Sequence, residues 1–104
     1  PSTYYVFFSN LASPLRISIV ESLKKAPSNV SDLSKTLNVE QSKLSHALKN
    51  LRCCNIVDVK QKGKQRIYSL NKKTITPILN LIDKHAKTFC KGGCRGQCQK
   101  WIYT

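Results

Sequence analysis

Acidic side chains are scarce in this sequence. Its 104 residues include five Asp or Glu against eighteen Lys or Arg, a net charge of +13. The five carboxylates are scattered, His46 and His85 stand far apart, and there is no Gly-rich phosphate loop. Little remains with which to activate a substrate, so the chain is not expected to be an enzyme. Long apolar runs are missing too. Val6-Phe7-Phe8 and Ile17 with Ile19-Val20 are the longest, far short of the roughly 20 residues that cross a bilayer. No membrane partner is expected. Pro1 to Tyr5 places no basic flank before a hydrophobic region, so no signal peptide is expected and the expected location is cytoplasmic. Internal repeats and low-complexity linkers are also absent.

What is present points elsewhere. A hydrophobic fraction of 40% argues against wholesale disorder. The length suits one domain, whose core needs no metal or disulfide staple. A charge of +13 repels itself, so a polyanionic partner is expected. The five cysteines are an odd number and nothing suggests secretion, so a disulfide framework is not expected. Reduced thiols or thiolate ligands are the default.

Along the chain, residues 1–9 are aromatic and uncharged, a short helix or arm that must pack on its own domain or on a partner subunit. Asn10 to Ala26 reads as a helix, with Ser13 as a cap and Pro14 at the first helical position. Leu15, Ile19, Val20, Leu23 and Ala26 form its apolar stripe. Ile17 lies off that stripe and implies burial on a second side. Ser31 is expected to cap a short helix ending at Asn38, with Leu33 and Leu37 inward. A third helix, Glu40 to Cys54, sets Leu44, Leu48 and Leu51 in a narrow arc beside Ala47. Its opposite face carries Ser42, Ser45, His46, Lys49 and Cys53, and Asn55 suits a left-handed cap.

Ile56 to Gln61 and Gln65 to Leu70 alternate around Lys62-Gly63-Lys64, which predicts a β-hairpin with a basic tip and with Ile67 opposed to Arg66 and Tyr68. Thr74 to Phe89 predicts a last helix with Pro77 in its first turn. Ile75, Ile78, Leu79, Ile82, His85, Ala86 and Phe89 cover an arc wide enough to imply a dimer helix. Residues 90–104 change character: three cysteines, three glycines and three basic residues precede Trp101-Ile102-Tyr103. The expected organisation is a domain over 1–89 and a Cys-rich tail over 90–104.

Helix, short helix, turn, helix and basic hairpin form the order of a winged helix-turn-helix, mainly α with one small hairpin. Residues 35–73 hold ten basic and two acidic side chains, or +8 of the +13. A charge that served only solubility would be spread more evenly. Gln41, Ser42, Ser45 and His46 have short polar groups suited to base edges or nearby phosphates. Lys43, Lys49, Lys62, Lys64 and Arg66 suit phosphates, with Arg66 the best two-pronged donor.

Three stretches resemble the ArsR/SmtB family of dimeric repressors, over about residues 10–89. Leu11-Ala12-Ser13-Pro14-Leu15-Arg16-Ile17 is similar to that family's L-A-D-P-T-R-hydrophobic opening. Val39 to Arg52 is similar to its recognition helix, L-S-Q-S-x-V-S-H-H-L-x-x-L-R. Gly63-Lys64-Gln65-Arg66-Ile67-Tyr68-Ser69-Leu70 is similar to its wing, G-R-R-V-Y-Y-x-L. The resemblance implies a homodimer, joined through the N-terminal segment and the last helix, that binds an inverted-repeat operator in double-stranded DNA. Two such recognition helices would stand about 34–36 Å apart.

The resemblance also implies sensing of a metal, metalloid or redox signal. Two of the family's sites are missing here. Its Cys-x-Cys-Asp-Leu pattern is Asn29-Val30-Ser31-Asp32-Leu33, without a thiol. Its zinc site on the last helix aligns with Lys72, Thr74, His85 and Thr88, of which His85 alone fits. Other members use a Cys near the end of the recognition helix with tail cysteines, and Cys54 matches one such position, although its companion is Asn50. Still others bind arsenite through three thiols near the end of the last helix, where Cys90, Cys94 and Cys98 recur here at four-residue spacing. Three thiolates suit As(III), and four soft ligands suit Zn(II) or Cd(II). Gly92, Gly93 and Gly96 each cost a helix about 1 kcal/mol relative to Ala, which favours a loop around an ion. Lys91, Arg95 and Lys100 favour thiolates. The alternatives are redox or disulfide chemistry, a structural zinc without sensing, or no role. Cys54 is equally a small core hydrophobe, Cys53 a serine substitute, and His85 a dimer-face residue.

Overall fold

A computed structural model describes residues 2–90. The described residues fall into two compact units, 2–71 and 72–90. The first holds four helices, α1 (Thr3–Leu11), α2 (Pro14–Lys25), α3 (Val30–Leu37) and α4 (Gln41–Cys53), followed by strands β1 (Val57–Lys62) and β2 (Gln65–Leu70). The second holds α5 (Ile75–Phe89). This is the expected winged helix-turn-helix.

The core of the first unit gathers one stripe from each element. Ile19, Val20 and Leu23 come from α2, Leu33 from α3, and Leu44, Ala47, Leu48 and Leu51 from α4. Ile56, Val57, Tyr68 and Leu70 close it from the hairpin side. Each large aliphatic side chain so buried stabilises the fold by about 1.5–3 kcal/mol relative to exposure. On α4 the buried positions follow the 3.6-residue period, so the same twist delivers the intervening polar residues to the opposite face.

Several element ends depart from the sequence reading. Asn10 and Leu11 finish α1 and do not begin α2, which starts at Pro14 under a Ser13 hydroxyl that accepts from the Arg16 N–H at 3.4 Å. The cap of α3 is Asn29, whose Oδ1 accepts from the Asp32 N–H at 2.7 Å, and Ser31 lies inside the helix. The reason is upstream: Ser28 is already paired with β2, its N–H donating to the Tyr68 carbonyl (3.0 Å) and its carbonyl accepting from the Tyr68 N–H (2.8 Å). Asn29 is therefore the first residue released to cap. On β2 the inward side chains are Tyr68 and Leu70, while Ile67 is half-buried on the other face. Ile17 is 40% exposed, so its expected second burial is not made by the described elements.

The left-handed turns fall as expected. Asn38 and Asn55 both have φ 55°. After α4 the Asn55 N–H donates to the Arg52 carbonyl at 2.9 Å and the Ile56 N–H to the Leu51 carbonyl at 3.0 Å. This is the Schellman pattern, and the two positions that its usual apolar contact would join, Leu51 and Ile56, are both fully buried. Gly63, at φ 60° and followed by Lys64 at negative φ, gives the hairpin its two-residue II′-type turn.

In the second unit, Ile75 is buried, whereas Leu81, Ile82 and Phe89 are exposed. The His85 and Phe89 rings lie 5.0 Å apart. No described helix is long and apolar enough to cross a membrane.

Candidate nucleic-acid interface

The outward face of α4 is built by what the inward face excludes. With Leu44, Ala47, Leu48 and Leu51 turned to the core, Gln41, Ser42, Lys43, Ser45, His46 and Lys49 are all exposed. The helix enters this face without a side-chain cap: Glu40 sits at the N-cap position and makes no capping hydrogen bond. On the hairpin, Lys62 ends β1, Lys64 is in the turn and Arg66 follows on β2, all exposed. The structure thus presents all nine expected contact residues on the surface of one unit.

Helix and hairpin are brought together by a shallow cleft. Ser45 of α4 shares it with Gln65, Arg66 and Tyr68 of β2 and with the start of α3 at Asn29 to Ser31. Two connections hold it in shape. The Ser28–Tyr68 pairing adds the α2–α3 loop to the edge of β2, and the Asn29 side-chain amide reaches the Gln65 side-chain oxygen at 3.5 Å. Arg66 is set by its own strand. Its guanidinium carbon lies 5.8 Å from the centre of the Tyr68 ring, within the range of a cation–π contact. Tyr68 is 6% exposed, so the charge rests on a side chain that the core immobilises.

Two further clefts flank the same helix. One lies between the start of α2 (Ser13, Leu15, Arg16) and Ser42, Lys43 and His46 of α4. The other lies between Lys49, Arg52 and Cys53 of α4 and β1 up to Lys60, with Asp58 as its one acid. Arg52, Lys60 and Gln65 therefore join the candidate surface. Sequence reasoning did not select them as contacts. For Arg52 the signal was available, since it stands three residues after Lys49 on a helical face.

The cysteines divide. Cys53 is exposed at the last position of α4, and Cys54 is half-buried at its cap. Cys90 is half-buried at the cap of α5, in the second unit. Cys94 and Cys98 lie outside the described residues. Among the described residues no three of His, Cys, Asp and Glu gather as a metal site.

Comparison with known proteins agrees with this geometry. Residues 13–59, which run from the cap of α2 into β1, match the family model described as bacterial regulatory protein, arsR family. NmtR, an HTH-type transcriptional regulator of Mycobacterium tuberculosis, is 32% identical over 77 residues, covering 74% of this chain and 64% of that protein. A SmtB homologue of Synechocystis, a transcriptional repressor, is 30% identical over 79 residues, covering 76% and 60%. The chain thus spans somewhat under two thirds of these two relatives. The M. tuberculosis regulator Rv0081 is 35% identical over 79 residues, covering 75% of this chain and 69% of that one. Its crystal structure superimposes with a TM-score of 0.72, over 81% of this chain and 89% of that one, at 31% identity. These are regulators and not enzymes. The stretch that builds the helix-turn-helix is the stretch the family model matches, and the chain belongs to the ArsR/SmtB family of winged helix-turn-helix transcriptional regulators.

Proposed function

We propose that the protein is a homodimeric transcriptional repressor that binds an inverted-repeat operator in double-stranded DNA. The observation that carries this reading is the joint surface of α4 and the wing. Short hydrogen-bonding groups at Gln41, Ser42, Ser45 and His46 occupy one exposed helical face, with Lys43, Lys49, Lys62, Lys64 and Arg66 around them. The polar groups read base edges in the major groove, and the cations hold the backbone on either side. Two apolar faces support the dimer. On α1, Tyr4, Tyr5, Val6 and Phe8 are exposed, and on α5 so are Leu81, Ile82 and Phe89. A single chain gains nothing by displaying them.

The inducer is a thiophilic metal or metalloid, Zn(II), Cd(II) or As(III), or a redox signal. It is taken up by the thiols of Cys90, Cys94 and Cys98, with Cys54 as a further donor. Soft thiolates supply the affinity, and a proton leaves each thiol that binds an ion.

Selection from random duplexes tests the DNA reading. It is expected to enrich an inverted repeat whose half-sites lie about one helical turn apart; recovery of no preferred sequence would refute it. Adding Cd(II) or arsenite to anaerobically reduced protein is then expected to weaken operator binding, and serine at positions 90, 94 and 98 to abolish that response. Unchanged affinity in the presence of ligand would leave a constitutive DNA-binding protein with a structural zinc or disulfide.

A further inference from the structure

The end of α4 remote from its uncapped N-terminus is held in an unusual way. The last four carbonyls of any helix lack partners within it. Those of Leu51 and Arg52 are satisfied by the following turn, through Ile56 and Asn55. The carbonyl of Asn50 is satisfied from another helix: the side-chain amide of Asn10 donates to it at 3.0 Å, across forty residues of sequence. Asn10 lies in the last turn of α1, where its own carbonyl also needs a donor. Arg16 of α2 supplies it. One guanidinium nitrogen, Nη1, donates to the Asn10 carbonyl at 3.0 Å and to the Asn10 side-chain oxygen at 2.7 Å. The arginine thereby fixes which way the amide points, with oxygen toward the cation and nitrogen toward α4. Asn10 and Asn50 are half-buried, so these bonds are partly shielded from water. One side chain joins three helices.

The joint bears on the candidate DNA surface. His46 and Ser42 precede Asn50 by four and eight residues and lie on the same side of α4. Arg16 itself lines the cleft with Ser42, Lys43 and His46. A tilt of α4 about its end would therefore displace the groups assigned to base edges.

We propose that Asn10 is a positioning residue: its bond to Asn50, steered by Arg16, sets the angle of α4 for sequence-specific DNA and makes that angle depend on the placement of α1. This rests on the DNA-binding reading above. Anything that docks on the exposed aromatic face of α1, a second copy first of all, would act on α4 through this joint.

The test compares the selected operator with a random duplex at one salt concentration, using Asn10→Ala and, separately, Arg16→Lys. The second keeps the charge and loses the guanidinium geometry. Thermal unfolding confirms that each variant is folded at the assay temperature; should Asn10→Ala not fold, Arg16→Lys carries the test. A positioning role predicts that operator affinity falls about fivefold, the scale of one hydrogen bond, while affinity for the random duplex is unchanged. A merely structural defect lowers both in parallel and overturns the proposal, as does an unaltered ratio of the two affinities. If the wild-type protein itself fails to distinguish the duplexes, the DNA-binding reading falls instead.

Discussion

Replacing Arg66 with alanine gives the sharpest test of the wing, because the effect depends on salt in a calculable way. Cations that neutralise DNA phosphates release condensed counterions, and log K falls with log salt by about 0.9 per phosphate. With about four phosphates per protomer, a dimer contacts about eight, for a slope of about −7.2. Arg66 is exposed, set over the Tyr68 ring and grouped with Ser45 in one cleft, so its loss removes one contact per protomer. The variant's slope is then about −5.4. Between about 50 and 200 mM salt the wild type loses about 20,000-fold in affinity and the variant about 1,800-fold. The gap between them closes by about 12-fold over that range. Fluorescence anisotropy with a labelled duplex measures both lines. Arg66→Lys keeps the charge and is expected to run parallel to the wild type, offset by the lost two-pronged grip. Parallel lines for the alanine variant would refute the phosphate contact and leave Arg66 as a cover for Tyr68.

Other perturbations address the scaffold. Leu48→Ala removes a fully buried side chain of α4 and is expected to cost about 2–5 kcal/mol in chemical denaturation. Asn55→Ala places a Cβ-bearing residue without a compensating side chain at φ 55° and is expected to cost about 1–2 kcal/mol, whereas Asn55→Gly should be close to neutral. Phe8→Glu puts a charge on the exposed aromatic face of α1 and is expected to shift the protein from dimer to monomer in sedimentation velocity, with little change in the unfolding of the monomer.

Much of the fold can be read locally. Leu44, Leu48 and Leu51 recur at helical spacing, so the polar face of α4 follows without knowledge of its neighbours. Asn38, Asn55 and Gly63 mark turns through their tolerance of positive φ, a property of single residues. The errors arise where a distant partner decides. Asn29 and Ser31 are both good caps, and the choice between them is made by Ser28 pairing with Tyr68, forty residues away. Ile67 is the more apolar of two neighbouring strand residues, yet Tyr68 turns inward, on the same face as Leu70, where its ring also meets Arg66. Arg16 is legible as part of a family motif, but its hydrogen bonds to Asn10, and through it the link to Asn50, carry no local signal at all.

The two ends of α4 are therefore unlike, and the difference constrains how DNA binding can be regulated. At the N-terminal end, Glu40 makes no side-chain cap and Gln41, Ser42 and Lys43 face outward. At the C-terminal end, Leu51 and Arg52 are tied to the turn that begins the wing, and Asn50 to α1. The wing base is tied there as well, since the Asn71 side-chain amide donates to the Asn55 carbonyl at 2.9 Å and the Asn71 N–H to the Ile56 carbonyl at 3.0 Å. The N-terminal end is held by α3, where the Ser34 hydroxyl donates to the Val39 carbonyl at 2.7 Å and the Val39 N–H to the Ser34 carbonyl at 3.2 Å, so the C-terminal end differs in being tied to α1 and to the wing base. A signal that alters the N-terminal residues directly would have to compete with DNA for the same surface. A signal that alters the C-terminal anchors moves the reading residues without touching them. Cys54, half-buried at that end between α4 and Asn55, sits among those anchors, so a ligand held by its thiol would bear on them and not on the surface proposed to meet DNA.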